Sequence, residues 1–414
     1  MKLSAALLDQ LLTSSLNFIT MIFIAQKSGL NALAVYGYFM AIVGLTDMLS
    51  NALLYQDLIR ERKNLNAKFC LENLRRHSQL SFAISFIVAI PTATFLSFQN
   101  ATSMAGITAL SICSIAFIFG AQAFSFERRI RYFADVSRSR TLKSPALLAF
   151  LVLSIRLVVF LVFMPTSVPS VMACLALSSL PLIVFQLFEL SKKDKDLQTF
   201  RSFCCEKVVR GRSFLIEIPF GWGIGKSPVF FIGFILGDIY AGVYVALRGV
   251  VNAGNILTEL VPTWFSSYLV KISGDGIDSK RRKFIRRSIV LFTFVWLFGL
   301  LFLYVSNKII FRLLDFEATP ENELALYILW LIQLFAFINK LVIAELKIIN
   351  ISSPVPLSSA IAFLSFCAYF MIYSQGVSFI HIVVSIVLMY VAKCFVLYTS
   401  LAKKRREMVN DCNM

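Results

Sequence analysis

Residues 280–306 read Lys280-Arg281-Arg282-Lys283-Phe284-Ile285-Arg286-Arg287-Ser288-Ile289-Val290-Leu291-Phe292-Thr293-Phe294-Val295-Trp296-Leu297-Phe298-Gly299-Leu300-Leu301-Phe302-Leu303-Tyr304-Val305-Ser306. Six cations in eight residues are followed by an apolar run, 288–306, with no charged residue. At 1.5 Å per helical residue that run covers about 28 Å, the thickness of a hydrocarbon core. A block of Lys and Arg at one end of such a run marks the cytoplasmic side.

The same unit recurs down the chain. Twelve apolar stretches are expected as spans, near 4–26, 31–55, 79–98, 104–124, 144–164, 167–190, 213–235, 238–262, 288–306, 323–346, 354–375 and 379–401. Turn residues mark the splits: Met164-Pro165-Thr166, Gly237-Asp238 and Gln375-Gly376. Of 40 Lys and Arg, 32 fall in the two tails and in every second loop, whereas the alternate loops hold only Lys27, Lys308 and Arg312. Alternation of this kind sets an even number of spans and puts both termini in the cytoplasm. The fold class expected is therefore all-α and polytopic, with the basic inner loops lying against anionic lipid.

Composition agrees. The chain has 414 residues, 58% of them hydrophobic and 15% charged, with 40 Phe. A soluble domain carries about a quarter charged residues. The net charge of +17 does not point to nucleic acid, because it sits in membrane-flanking loops. No metal or cofactor is expected, since there are only two His, and the eight Cys lie in spans or basic segments. Asp9, Gln10 and Asn17 interrupt the apolar start, so a cleavable signal is not expected.

A weak internal repeat relates Val35-Tyr36-Gly37-Tyr38-Phe39-Met40-Ala41 to Tyr240-Ala241-Gly242-Val243-Tyr244-Val245-Ala246, with Gly29 and Gly237 at the preceding turns. Two repeats of six spans form a common transporter plan with the substrate site between the halves. The expected division is 1–190 as an N-terminal six-helix lobe and 191–212 as a cytoplasmic linker. A C-terminal lobe, 213–401, and a basic tail, 402–414, follow.

Charges inside spans carry the functional reading, because each costs about 2.5–3.5 kcal/mol to insert. Lys226, Arg248 and Arg156 are expected near the midplane, with Lys340 and Lys393 nearer the cytoplasm. No acid matches the first three in depth, so they are expected to form a cationic cavity for an anion such as a diphosphate or acidic sugar. The acids Asp9, Asp47, Glu217 and Glu259 lie near span ends and are the candidates for ion coupling; Asp9 or Asp47 could instead pair with Lys340 or Lys393. Each base could also serve only to hold helices together. Span seven contains Pro219-Phe220-Gly221-Trp222-Gly223-Ile224-Gly225-Lys226-Ser227-Pro228, which is expected to bend and line a cavity. Trp222 offers a face for a sugar ring or an anchor at the lipid interface.

Leu8-Asp9-Gln10-Leu11-Leu12-Thr13-Ser14-Ser15-Leu16-Asn17-Phe18, followed by Gly29 and Gly37-Tyr38-Phe39, resembles the opening of bacterial polysaccharide flippases. Ala241-Gly242-Val243-Tyr244-Val245-Ala246-Leu247-Arg248 resembles their eighth span. Phe311-Arg312-Leu313-Leu314-Asp315-Phe316 resembles the loop before their tenth, with Asp315 where that family usually has Gly. The resemblance is to Wzx-type O-antigen flippases of the multidrug/oligosaccharidyl-lipid/polysaccharide exporter superfamily. It implies two six-helix lobes around a cationic cavity in the bacterial inner membrane. It implies an undecaprenyl-diphosphate-linked oligosaccharide as substrate, and a polysaccharide polymerase and chain-length regulator as partners. The alternatives are a multidrug or organic-ion exporter of the same fold, a polysaccharide polymerase or ligase, and a channel. An exporter of cations calls for an acidic cavity. A polymerase calls for a larger outer loop than the expected 307–322, and no filter-like segment suggests a channel.

Overall fold

The computed structural model describes residues 3–55, 74–100, 103–136, 145–191, 200–260, 278–348, 354–372 and 376–412. The expected inner loops at 56–73, 137–144, 192–199, 261–277 and 349–353 lie outside the described residues. Within them the protein is all-helical, with thirteen α-helices. These are α1 (Leu3–Ser50, continued by a π-helical turn, Asn51–Tyr55), α2 (Leu74–Asn100), α3 (Met104–Val136), α4 (Pro145–Phe163) and α5 (Val168–Ser191). They continue as α6 (Phe200–Gly225), α7 (Pro228–Leu236), α8 (Asp238–Ala253) and α9 (Asn255–Leu260). The last four are α10 (Asp278–Leu313), α11 (Pro320–Ile348), α12 (Pro354–Ile372) and α13 (Phe379–Cys412).

Nine of the described helices are long and apolar enough to cross a bilayer, or ten with the bent pair α6–α7. Large apolar side chains stand exposed along them, including Phe234, Phe294 and Phe298. In water such a surface is unfavourable, whereas in lipid it is matched. The chain is a multi-pass membrane protein.

Helix α1 has 48 residues, roughly 72 Å, about twice the hydrocarbon thickness. It contains a break at Gly29, whose φ of 79° and ψ of 178° are non-helical. Gly237, between α7 and α8, has almost the same geometry, φ 94° and ψ 167°. Side-chain-bearing residues rarely adopt these angles, so glycine is required at both positions. The two glycines that head the sequence repeat thus make the same turn. Ser28 pins the first by donating to the Pro165 carbonyl at 2.8 Å, joining it to the α4–α5 turn.

The chain forms two compact units, Met1–Ile218 and Pro219–Met414. The division falls inside α6, and local packing explains why. The amino-terminal part of α6 places Phe203 in a cluster with Leu53, Leu54, Leu80, Ile84 and Phe126. Gly211 lets its backbone lie against the Ala52 carbonyl. The carboxy-terminal part instead packs Phe220 and Gly223 on Phe363 of α12.

Three local features differ from the sequence expectation. Residues 200–212, expected as linker, are helical and continuous with span seven. Span eight is interrupted at Gly254, where the Trp330 ring fills the space a side chain would need. The loop after span nine is short, because α10 runs on to Leu313 and α11 starts at Pro320. Asp315 there adopts φ 54°, the left-handed position that Asp tolerates better than most residues. A left-handed residue thus closes the turn between α10 and α11.

Replacing Gly29 or Gly237 with Val forces a β-branched residue into a glycine-only conformation, which costs about 1–3 kcal/mol per site. Thermal unfolding of the purified protein in detergent should show a clear loss for each variant. Gly225→Val should cost less by this route, since no positive φ is imposed there.

Candidate functional site

In the first unit the candidate acids are already engaged. Asp9 is fully buried, and Arg128 of α3 grips it with a fork: Nε donates to Oδ1 at 2.9 Å and Nη2 to Oδ2 at 2.7 Å. A bidentate pair of this kind is the strongest form of the interaction. The expected partners Lys340 and Lys393 belong to the other unit; the sequence offered Arg128 only as a loop cation. Asp47 accepts a hydrogen bond from Ser125 Oγ at 2.5 Å. Near these, Gln122 Nε2 donates to Ser50 Oγ at 2.5 Å and to Ser81 Oγ at 3.3 Å. This polar layer ties α1 to α3 and α2.

Arg156 is in a different environment. It projects from α4 and is 7% exposed. Its guanidinium carbon lies 5.9 Å from the Phe117 ring centre, a cation–π contact. Tyr36 is within electrostatic reach. Among the described residues Arg156 makes no ion pair, and both its Nε and the Tyr36 hydroxyl are buried without a hydrogen-bond partner. An arginine cannot shed its proton to escape this situation.

In the second unit Arg248 of α8 is half-buried. Nη2 reaches the Tyr390 hydroxyl of α13 at 3.5 Å, the outer limit of a hydrogen bond. Nη1 is buried without a partner, and Tyr244, one turn earlier, is within electrostatic reach. Asn339 donates to the Tyr390 carbonyl at 3.3 Å and Gln333 to the Val251 carbonyl at 3.0 Å, which fixes α13 and α8 on α11.

Tyr36 lies seven residues after Gly29 and Tyr244 seven after Gly237. Counting from the turns, the two tyrosines are equivalent, and each faces an arginine that has no carboxylate partner among the described residues. Sequence reasoning missed Tyr36, Tyr244 and Tyr390. The signal was present, but aligning the repeat on Gly37 and Gly242 instead of on the turns set Tyr36 against Ala241.

Lys226 stands exposed at the break between α6 and α7, which are bent by 47°. The Lys226 and Ser227 amides both donate to the Trp222 carbonyl, at 2.8 and 3.1 Å, and Ser227 Oγ donates to Gly223 O. The expected bend in span seven is therefore present, with its freed backbone groups satisfied locally. Trp222 is half-buried, its ring 5.9 Å from that of Phe230 across the bend. Among the described residues Arg248 meets two tyrosines, Tyr390 and Tyr244. Lys340 of α11 and Lys393 of α13 are half-buried, and neither is a free charge. Glu217 is half-buried and likewise engaged. The Glu259 side chain lies outside the described residues.

No family model matches the sequence, and no curated protein matches it. Solved structures do match over nearly the whole chain. One is the lipid II flippase MurJ in an inward closed conformation, with TM-score 0.66 and 13% identity, covering 94% of this chain and 86% of that one. Another is the eukaryotic MATE transporter AtDTX14, with TM-score 0.64 and 12% identity, covering 98% and 97%. A third is a MATE protein in complex with MaD3S, with TM-score 0.63 and 11% identity, covering 98% and 96%.

Removing one member of a buried ion pair strands the other and costs about 3–5 kcal/mol. Arg128→Gln should therefore destabilise the protein strongly in a detergent melting assay, and Asp9→Asn added to it should restore much of the loss. Transport that survives in the double variant would show Asp9 to be structural rather than ion-coupling. These helices share the fold found in MurJ and the MATE transporters of the multidrug/oligosaccharidyl-lipid/polysaccharide superfamily.

Proposed function

We propose that this protein is a flippase that carries an undecaprenyl-diphosphate-linked oligosaccharide, an O-antigen or related repeat unit, from the cytoplasmic to the periplasmic leaflet by alternating access. In this reading it has twelve spans in the bacterial inner membrane with both termini inside. It is a transporter and not an enzyme, and it works beside a polysaccharide polymerase and chain-length regulator. One observation carries the proposal: each unit holds an arginine at membrane depth, Arg156 or Arg248, with no carboxylate partner among the described residues and with unpartnered guanidinium nitrogen. Desolvated guanidinium groups are strongly unfavourable until an anion meets them. A diphosphate supplies charge and several acceptors to arginine forks. Lys226, exposed at the break in span seven, adds a further positive charge, and Trp222 supplies an apolar face for sugar. Lys340 and Lys393 are assigned to the same cationic surface.

A multidrug or organic-ion exporter is the second reading, favoured by the MATE structures of similar TM-score. Export of cations calls for carboxylates directed at the substrate. In the first unit Asp9 is held by Arg128, and Asp47 accepts from Ser125.

Each charge-assisted hydrogen bond contributes about 1.5–3 kcal/mol. Arg248→Gln and Lys226→Gln together should abolish surface glycan in cells that depend on this protein, with membrane levels of the protein normal; acidic replacements should be worse. Full glycan display in the double variant would overturn the assignment.

A further inference from the structure

Helix α10 is the least buried of the candidate spans: 17% of its apolar window is covered, against 61% for α1. It packs chiefly on α11. Phe292 stacks flat on Phe337 at 3.8 Å between ring centres, and each of Trp296 and Trp330 donates its indole N–H to the other's carbonyl at 3.1 Å. Phe284, Ile285 and Ile289 complete that face.

The opposite face has a different character. An open groove along it is lined by Lys283, Arg286, Arg287, Val290, Leu291 and Phe294. These positions recur at three- and four-residue intervals, so they form one stripe along the helix. Val290, Leu291 and Phe294 are 53%, 65% and 72% exposed. The three cations are exposed as well and make no ion pair among the described residues. Some cations at the basic ends of other helices are engaged, whereas Arg212 and Lys403 are exposed like these three. Arg128 is paired with Asp9, Lys404 with Glu407, and Lys207 is buried over the Phe203 ring.

We propose that this face of α10 is a binding site for an anionic phospholipid of the cytoplasmic leaflet. Its phosphate is held by Lys283, Arg286 and Arg287, and one acyl chain lies along Val290, Leu291 and Phe294. Charge complementarity selects the headgroup, since a zwitterionic lipid brings its own cation to a cluster of three. Lys283 to Phe294 covers about 16 Å, so the stripe runs from the headgroup level into the first part of the hydrocarbon. Arg presents the fork that phosphate oxygens match. The proposal does not rest on the flippase reading, and a transporter of any substrate could hold its lipid here.

The test uses the full chain in detergent, titrated with phosphatidylglycerol, phosphatidylcholine or undecaprenyl diphosphate and read by native mass spectrometry. Each basic residue near a membrane surface contributes about fivefold to anionic lipid binding. Arg286→Gln with Arg287→Gln should therefore weaken phosphatidylglycerol binding about 25-fold, and Arg286→Lys with Arg287→Lys should retain most of it. Lys403→Gln with Lys404→Gln, which removes the same charge elsewhere, should leave binding unchanged. The wild-type preference for phosphatidylglycerol over phosphatidylcholine is measured without any variant. Equal binding of those two lipids overturns the proposal, as does an equal loss in the two Gln pairs. Undecaprenyl diphosphate binding that falls about 25-fold in Arg286→Gln with Arg287→Gln, while phosphatidylglycerol binding is unchanged, assigns the groove to another lipid and overturns it as well.

Discussion

A charged group taken out of water must find a counter-charge or a wet surface, and this requirement orders the protein's ionisable residues. The penalty for an isolated ion is several kcal/mol even after relaxation. Asp9 meets the requirement with the Arg128 fork, and Asp47 is supported by Ser125. Lys207 and Arg156 place part of their charge over aromatic rings. Cation–π contacts contribute about 2 kcal/mol when desolvated, which offsets only part of the penalty. Arg156 and Arg248 therefore stand out by what their surroundings fail to supply, and the same two residues carry the functional reading.

The backbone obeys a parallel rule. In lipid each N–H and C=O must be bonded within the protein, so a helix can break only where the freed groups find partners. The break at Lys226 shows how this is met: two amides converge on the Trp222 carbonyl and Ser227 returns a bond to Gly223. At Gly254 the turn closes through its own amide onto the Val251 carbonyl, under the Trp330 ring. Gly29 and Gly237 adopt backbone angles that residues with a side chain rarely reach. Their shared geometry is the firmest structural trace of the sequence repeat.

The all-helical, membrane-crossing character was legible because hydropathy is a one-dimensional signal. The alternation of basic and sparse loops is written in the sequence and needs no contacts to read. The bend of span seven was legible for a similar reason, since Pro219, Gly221, Gly223, Gly225 and Pro228 are each local constraints. Pairing was not legible. Arg128 lies 119 residues from Asp9, and its place at the edge of a basic loop gave it the appearance of a topology signal. The Tyr36–Arg156 neighbourhood joins α1, α3 and α4, and no sequence spacing encodes a contact among three helices. The loop before span ten carries Asp315 where the resembled family usually has Gly. Asp315 there adopts the left-handed conformation that glycine favours, which the residue's identity alone did not reveal.

Shared architecture leaves the substrate open, because MurJ and MATE structures match this chain with TM-scores within a few hundredths of each other. Shape does not separate a lipid-linked diphosphate from an organic cation. Charge does. Of the four acids first considered, Asp9 is paired with the Arg128 cation, whereas Asp47 accepts from the neutral Ser125 hydroxyl. A cavity for an anion must keep cations unneutralised, and Arg156 and Arg248 have hydrogen-bonding nitrogens that the described protein leaves unused. The choice between the two readings therefore rests on the sign of the unmet charge, a property of a few side chains and not of the fold that holds them.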